Sequence, residues 1–197
     1  MSKSPFKKRL VGLFIRLVQY PRVVLFHLMS NNESSGKPIR CQPLQLVGLG
    51  SIKFDSNVCV GVFPSPLFFS TYAYIEARNS GSAVHIGKNT WINNNFRAIA
   101  EHTIIEIGSD CRIGSNVEIL DSDFHGLKIA DRNISRPESA KPVFIGNDVF
   151  VGNNVTILKG VSIGNGSVIA NCSLVISDIP ANSVAGGTPA KVIRIIE

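Results

Sequence analysis

Three stretches of this 197-residue chain concentrate side chains capable of chemistry. The first is Asp121-Ser122-Asp123-Phe124-His125-Gly126. Imidazole is the side chain best suited to take and return a proton near neutrality, so His125 is the candidate general base, acting on a hydroxyl that must lose its proton as it attacks. Asp121 and Asp123 stand either to orient that ring or, as turn-forming carboxylates, to shape the chain beside it. The second stretch is Asn93-Asn94-Asn95, followed shortly by Glu101 and His102. The third is the closing segment, where Lys191 and Arg194 follow Gly186-Gly187-Thr188-Pro189-Ala190.

What must position these groups is a repeat. Ile145, Val151, Ile157, Ile163, Ile169 and Val175 lie six residues apart without a slip, and Gly146, Gly152 and Gly164 directly follow three of them. Four residues after the anchors come Val149, Val155, Val161, Ser167 and Ser173. A second tract has Ile107, Ile113 and Ile119, a third starts at Ile86-Gly87, and weaker traces reach back to Phe54 and Val60. This period fits neither an α-helix nor a hairpin; it fits a short strand and a tight turn, with Gly or Asn where φ is positive. Three units make one triangular coil, and stacked coils bury one another's open faces. The predicted fold is all-β, a parallel β-helix, with a short helical segment before it. The register breaks after Phe124 and resumes at Val143, so residues 125–142 are expected to leave the coil as a protruding loop of the kind that carries function.

These residues resemble the hexapeptide-repeat acyltransferases, over about residues 46–195, and Asp-Ser-Asp-x-His before a loop is similar to the bacterial polysaccharide O-acetyltransferases. The resemblance implies a left-handed coil, a homotrimer with active sites between subunits, and acetyl-CoA as co-substrate. It implies that His125 is the catalytic base, with the oxyanion held by backbone N–H groups or a polar side chain. On the acceptor side it points to Asn94, Asp123 and Phe150, the last replacing a frequent Trp. Relatives of the galactoside type place an acid eight residues beyond the Asn; His102 stands there, a group suited to an anionic sugar. On the donor side it implies Gly152, Asn153, Ala170, Asn171 and Thr188, with Lys191 and Arg194 near the phosphates. Ile176-Ser177 departs from the Thr-Lys of galactoside-type enzymes. The expected activity is acetyl transfer to a hydroxyl of a cell-surface saccharide or its precursor, by direct attack in a ternary complex. The runner-up readings are N-acetyl transfer to an amino-sugar nucleotide and a non-catalytic β-helix scaffold.

Composition narrows the alternatives. Lys3, Lys7, Lys8, Arg9, Arg16 and Arg22 precede any acid, and the other 14 basic residues balance 14 acidic ones, so the net +6 belongs to the N-terminus and the body has no stripe for nucleic acid. Residues 1–38 are expected to form a basic amphipathic helix or helix pair and a polar linker (Asn31–Pro38), ahead of an acyltransferase domain over 39–197. Arg16, Pro21 and Arg22 interrupt the apolar run from Leu10 to Met29, which argues against a spanning helix and leaves two readings, packing on the body or lying on an anionic membrane surface. Cys41, Cys59, Cys111 and Cys172 lack CxxC spacing and read as free, buried thiols of a cytoplasmic protein, one that could work at the inner membrane surface. His85, His102 and His125 lack the His-x4-His of the γ-class carbonic anhydrases, so no metal is expected.

Overall fold

A computed structural model describes residues 5–197, with side chains from Arg9 onward; Lys3 and the side chains of Lys7 and Lys8 lie outside the described residues. The chain is a left-handed parallel β-helix with three faces: an eight-, a six- and a five-stranded sheet. One coil shows the order. Arg112–Ile113 lies in the eight-stranded sheet, Glu118–Leu120 in the six-stranded and Val143–Ile145 in the five-stranded, and Phe150–Val151 returns to the first. Register between coils is strict, with Ile113 opposite Val151 and Val151 opposite Ile169. The six predicted anchors from Ile145 to Val175 are all at most 2% exposed and form the core column with Ile107, Ile113 and Ile119. Ser167 and Ser173 are buried as well, their hydroxyls donating to the carbonyls of Pro180 and Ala170.

The turn chemistry differs from expectation in one respect. Positive φ falls three residues after each of the five anchors from Ile145 to Ile169, at Asp148, Asn154, Gly160, Gly166 and Cys172. The glycine immediately after the anchor serves close approach instead. A Cβ at Gly108 would press on the Gly146 carbonyl 2.5 Å away, and one at Gly114 on the Gly152 carbonyl at 2.6 Å, so coils can stack at this spacing only without that atom.

Helix α1 runs unbroken from Pro5 to Leu28, passing through Pro21, so it is one helix rather than a pair. Asn31–Pro38 is tied to the body. The N–H groups of Asn31 and Asn32 donate to Leu46 O, and Ser35 bridges Lys53 as a parallel partner. A second excursion, absent from the sequence reading, leaves the coil between Cys59–Val60 and Ala73–Ala77. Fully buried Gln42 holds it, donating to the carbonyls of Leu67 and Thr71. The thiols divide: Cys59 and Cys111 are buried, but Cys41 and Cys172 are exposed, because both sit at turns rather than at inward-facing strand positions.

Candidate active site

Residues 121–142 leave the coil at the corner between the six- and five-stranded sheets, so this loop corner positions His125. Asp121 is its root. With no exposed surface, its carboxylate accepts from the N–H groups of Glu101 (2.7 Å), His102 (3.0 Å) and Thr103 (2.7 Å) and from the Thr103 hydroxyl (2.9 Å). Asp121 therefore builds the corner and does not orient the imidazole. Asp123 is also committed elsewhere, to Lys159, whose ammonium donates as well to Ser139 O at the far end of the loop. Asp121 thus anchors the start of the excursion, and Lys159 ties Asp123 near that start to Ser139 near its end.

His125 is exposed, and its Nδ1 lies 3.0 Å from the carbonyl oxygen of Gly126. A carbonyl can only accept, so Nδ1 carries a proton, and in the neutral ring Nε2 then presents the lone pair. That is the tautomer a general base requires. Phe124, just before it, has φ of 61°, a strained conformation for an aromatic residue, and its N–H donates to Ser122 Oγ at 3.0 Å. The Arg78 guanidinium lies 5.0 Å from the centre of the Phe124 ring.

Arg78 belongs to a network that sequence reasoning missed. Its Nε donates to Glu76 (2.7 Å) and its Nη1 to Glu101 (3.1 Å), while the Ser135 hydroxyl donates to Glu101 Oε2 at 2.7 Å from within the loop. The Tyr74 hydroxyl completes the chain onto Glu76, and burial together with that carboxylate pushes its pKa up to about 12. For Glu101 burial acts upward, but the hydroxyls of Ser122 and Ser135 and the charge of Arg78 outweigh it and hold the carboxyl below its ordinary value. Hydrogen bonds to Glu76 raise the pKa of Arg78. The only sequence signal was the irregular stretch after Ala100; nothing marked Arg78 or Ser135. His102 Nδ1 faces the Asn79 amide at 3.1 Å, and its Nε2 is buried with no hydrogen-bond partner, 3.8 Å from Glu101 Oε2, so the ring is packed in the corner.

The opposite edge of the six-stranded sheet, its corner with the eight-stranded sheet, collects the residues expected on the donor side. Gly152-Asn153 and Ala170-Asn171 stack there in register, with Asn171 Oδ1 accepting from Asn153 N–H at 2.7 Å and Asn153 Oδ1 from Ser115 N–H at 2.8 Å. Thr188 joins them, its hydroxyl 3.3 Å from Cys172 O. Lys191 and Arg194 are exposed on the outermost strand, Ala190–Ile195, paired with Gly186 and Val184. Asn94 lies on this same corner, far from the loop corner in sequence of faces, and is wholly buried. Its amide donates to Val62 O and Pro66 O and its Oδ1 accepts from Val62 N–H, so it holds the 62–72 excursion and presents no atom to an acceptor in this structure. Phe150, half exposed, sits mid-face in the eight-stranded sheet beside Arg112 and is not brought to His125 within one chain. Among the described residues no cluster of three or more His, Cys, Asp or Glu side chains could hold a metal.

Comparison with known proteins bears on the repeat and the fold. Residues 142–177 match the family described as bacterial transferase hexapeptide (six repeats), and residues 104–129 the hexapeptide repeat of succinyl-transferase. Galactoside O-acetyltransferase of Escherichia coli (strain K12) is 40% identical over 116 residues, 59% of this chain and 56% of that protein. The chain spans little more than half the length of the first curated relatives it matches. Among solved structures, the polySia specific acetyltransferase NeuO is 33% identical with a TM-score of 0.58, covering 82% of this chain and 73% of that one. A galactoside acetyltransferase in complex with coenzyme A is 33% identical with a TM-score of 0.56, covering 73% of this chain and 66% of that one. The repeat, its faces and these likenesses agree: the chain belongs to the hexapeptide-repeat acyltransferase family.

Proposed function

We propose that the protein transfers an acetyl group from acetyl-CoA to a hydroxyl of a saccharide, with His125 as general base. The observation that carries this reading is the hydrogen bond from His125 Nδ1 to Gly126 O, which leaves Nε2 of the exposed, neutral ring able to accept a proton. Nε2 takes the proton of the acceptor hydroxyl as its oxygen attacks the thioester carbonyl. The tetrahedral oxyanion collapses, the C–S bond breaks, and the imidazolium returns the proton to the departing thiolate. Backbone N–H groups or a polar side chain would hold the oxyanion. The transfer is direct, so no cysteine has to carry the acetyl group; Cys111 is wholly buried.

Within one chain the donor corner and the base lie on opposite edges of the six-stranded sheet. The reading therefore includes a homotrimer in which the loop corner of one subunit meets the donor corner of its neighbour. It is supported by exposed apolar residues on the outer faces, Trp91, Phe144, Phe150 and Ile176 among them. Lys191 and Arg194 would meet the coenzyme's phosphates, and Asp123 and Phe150 would line the way to the acceptor.

The experiment is a paired measurement on the wild type and His125→Ala. Acetyl-CoA at about 100 times its Kd should stabilise both folds by roughly 2.7 kcal/mol, whereas ATP should not. Turnover with saccharide acceptors should fall on the order of 100- to 10,000-fold in the variant alone. Equal turnover would remove His125 from the mechanism, and no response of either protein to acetyl-CoA would remove the transferase reading.

A further inference from the structure

Helix α1 has two apolar faces and uses one of them. Ile15, Gln19, Arg22, Val23 and Phe26 turn toward the body. Gln19 is buried and donates to Phe68 O, Arg22 donates to Thr71 O at 2.9 Å, and the Phe26 ring lies 4.5 Å from that of Tyr72. On the opposite side, at helical spacing, Leu10, Leu13, Phe14, Leu17, Leu25 and Leu28 are between 49% and 76% exposed. At 100° per residue this stripe is centred about half a turn of the wheel from Gln19. It is a continuous apolar surface that the described residues leave uncovered.

The charges beside it are of one sign. No acid precedes Glu33, and Arg9 and Arg16 border one edge of the stripe. None of the ion pairs among the described residues involves Arg9, Arg16 or Arg22. The cleft between α1 and the eight-stranded sheet continues the pattern: Phe63, Phe68 and Trp91 line it with Arg16 and Arg40, and no carboxylate does. A second copy presenting the same helix would set arginine against arginine.

We infer that the outer face of helix α1 docks on an anionic lipid bilayer, lying in the plane of its surface. Residues Arg9–Leu28 are long and apolar enough to cross a membrane. Two observations favour the lateral arrangement. Arg16, Gln19 and Arg22 interrupt the middle of the helix, and the bonds of Gln19 and Arg22 to the 62–72 excursion hold it alongside the β-helix, where end-on insertion would break them. Burying the stripe to a depth of about 5–10 Å, with Arg9 and Arg16 at the headgroups, satisfies both its apolar and its cationic parts. This inference is independent of the reaction proposed above.

The test is co-sedimentation of the full chain with phosphatidylcholine vesicles, with and without phosphatidylglycerol. The wild type should partition into the anionic vesicles and not into neutral ones. Leu17→Glu/Leu25→Glu should weaken partition more than about tenfold, and Arg9→Gln/Arg16→Gln about fivefold per charge, with unchanged circular dichroism. The idea is overturned if the wild type stays in the supernatant, or if it binds neutral vesicles equally well. It is also overturned if Leu17→Glu/Leu25→Glu lowers the assembly mass without lipid, since a second copy would then be covering the stripe.

Discussion

Asp121 Oδ2 accepts two hydrogen bonds from Thr103, one from its backbone N–H at 2.7 Å and one from its hydroxyl at 2.9 Å. The two residues belong to successive coils and meet at the corner from which the His125 loop departs. With Glu101 and His102 also donating their N–H groups to it, a single buried carboxylate satisfies three backbone donors that no sheet partner reaches. Replacing it should therefore damage the corner more than an ordinary surface Asp would.

Asp121→Ala should cost on the order of 3 kcal/mol, because the donors stay buried and unpaired. Asp121→Asn should be only partly better. Its single carbonyl oxygen can serve Glu101, but its NH2 group would then face the N–H groups of His102 and Thr103. Denaturant unfolding of the three proteins checks this. An Asn variant as stable as the wild type would show that the corner does not depend on four accepted bonds.

Glu101 gives the loop a dependence on pH. Its carboxyl is held below its ordinary value in the folded protein, so the stabilisation is fully present above the unfolded value of about 4.3 and is lost as pH falls through the lower folded value. Glu101→Gln should flatten the acid limb of a thermal-unfolding profile below about pH 5 and leave the neutral-to-alkaline limb parallel to the wild type. Ser135→Ala, which removes the donor from the loop side, should move the profile part of the way. Identical acid limbs in all three proteins would mean that the Arg78–Glu101–Ser135 connection does not hold the loop.

The coil was legible because its signal is periodic. Each of Ile145 to Val175 faces the same column, and a six-residue spacing carries that information in the sequence itself. The loop was legible for the complementary reason, as an interruption of the period before Val143. The corner network was not. Arg78, Glu101 and Ser135 are separated by 23 and 34 residues and meet only because coils stack with a register that periodicity implies but does not pair atom by atom. The surroundings of Asn94 were hidden for a different reason. The resemblance points this residue to the acceptor, whereas its amide is held by the 62–72 excursion, and that excursion has no anchor pattern to reveal it. The wheel of α1 reads as amphipathic from sequence, yet which of its apolar faces is occupied depends on the bonds of Gln19 and Arg22.

The two exposed thiols offer a direct test of where the coenzyme binds. Cys172 stands on the donor corner, one residue beyond Asn171, and its carbonyl meets the Thr188 hydroxyl. Cys41 stands at the far end of the coil stack, in the cleft below α1, 3.9 Å from the Cys59 thiol. The Cys59 thiol beside it outweighs partial burial and lowers the Cys41 pKa to about 7. Since the thiolate is the reactive form, alkylation of Cys41 by iodoacetamide should climb through pH 7 and level off about one unit above it. Cys59→Ala should shift that rise toward the ordinary thiol value of about 8.5. At constant pH, saturating acetyl-CoA should slow alkylation of Cys172 by about tenfold or more, the protection expected when bound ligand leaves few open sites, and should leave Cys41 unchanged. Peptide mass spectrometry reads both sites in one sample, so Cys41 serves as the internal control for folding and reagent. Equal labelling of Cys172 with and without acetyl-CoA, under conditions where the coenzyme raises the unfolding temperature, would move the donor site away from the Gly152–Ala170–Thr188 corner.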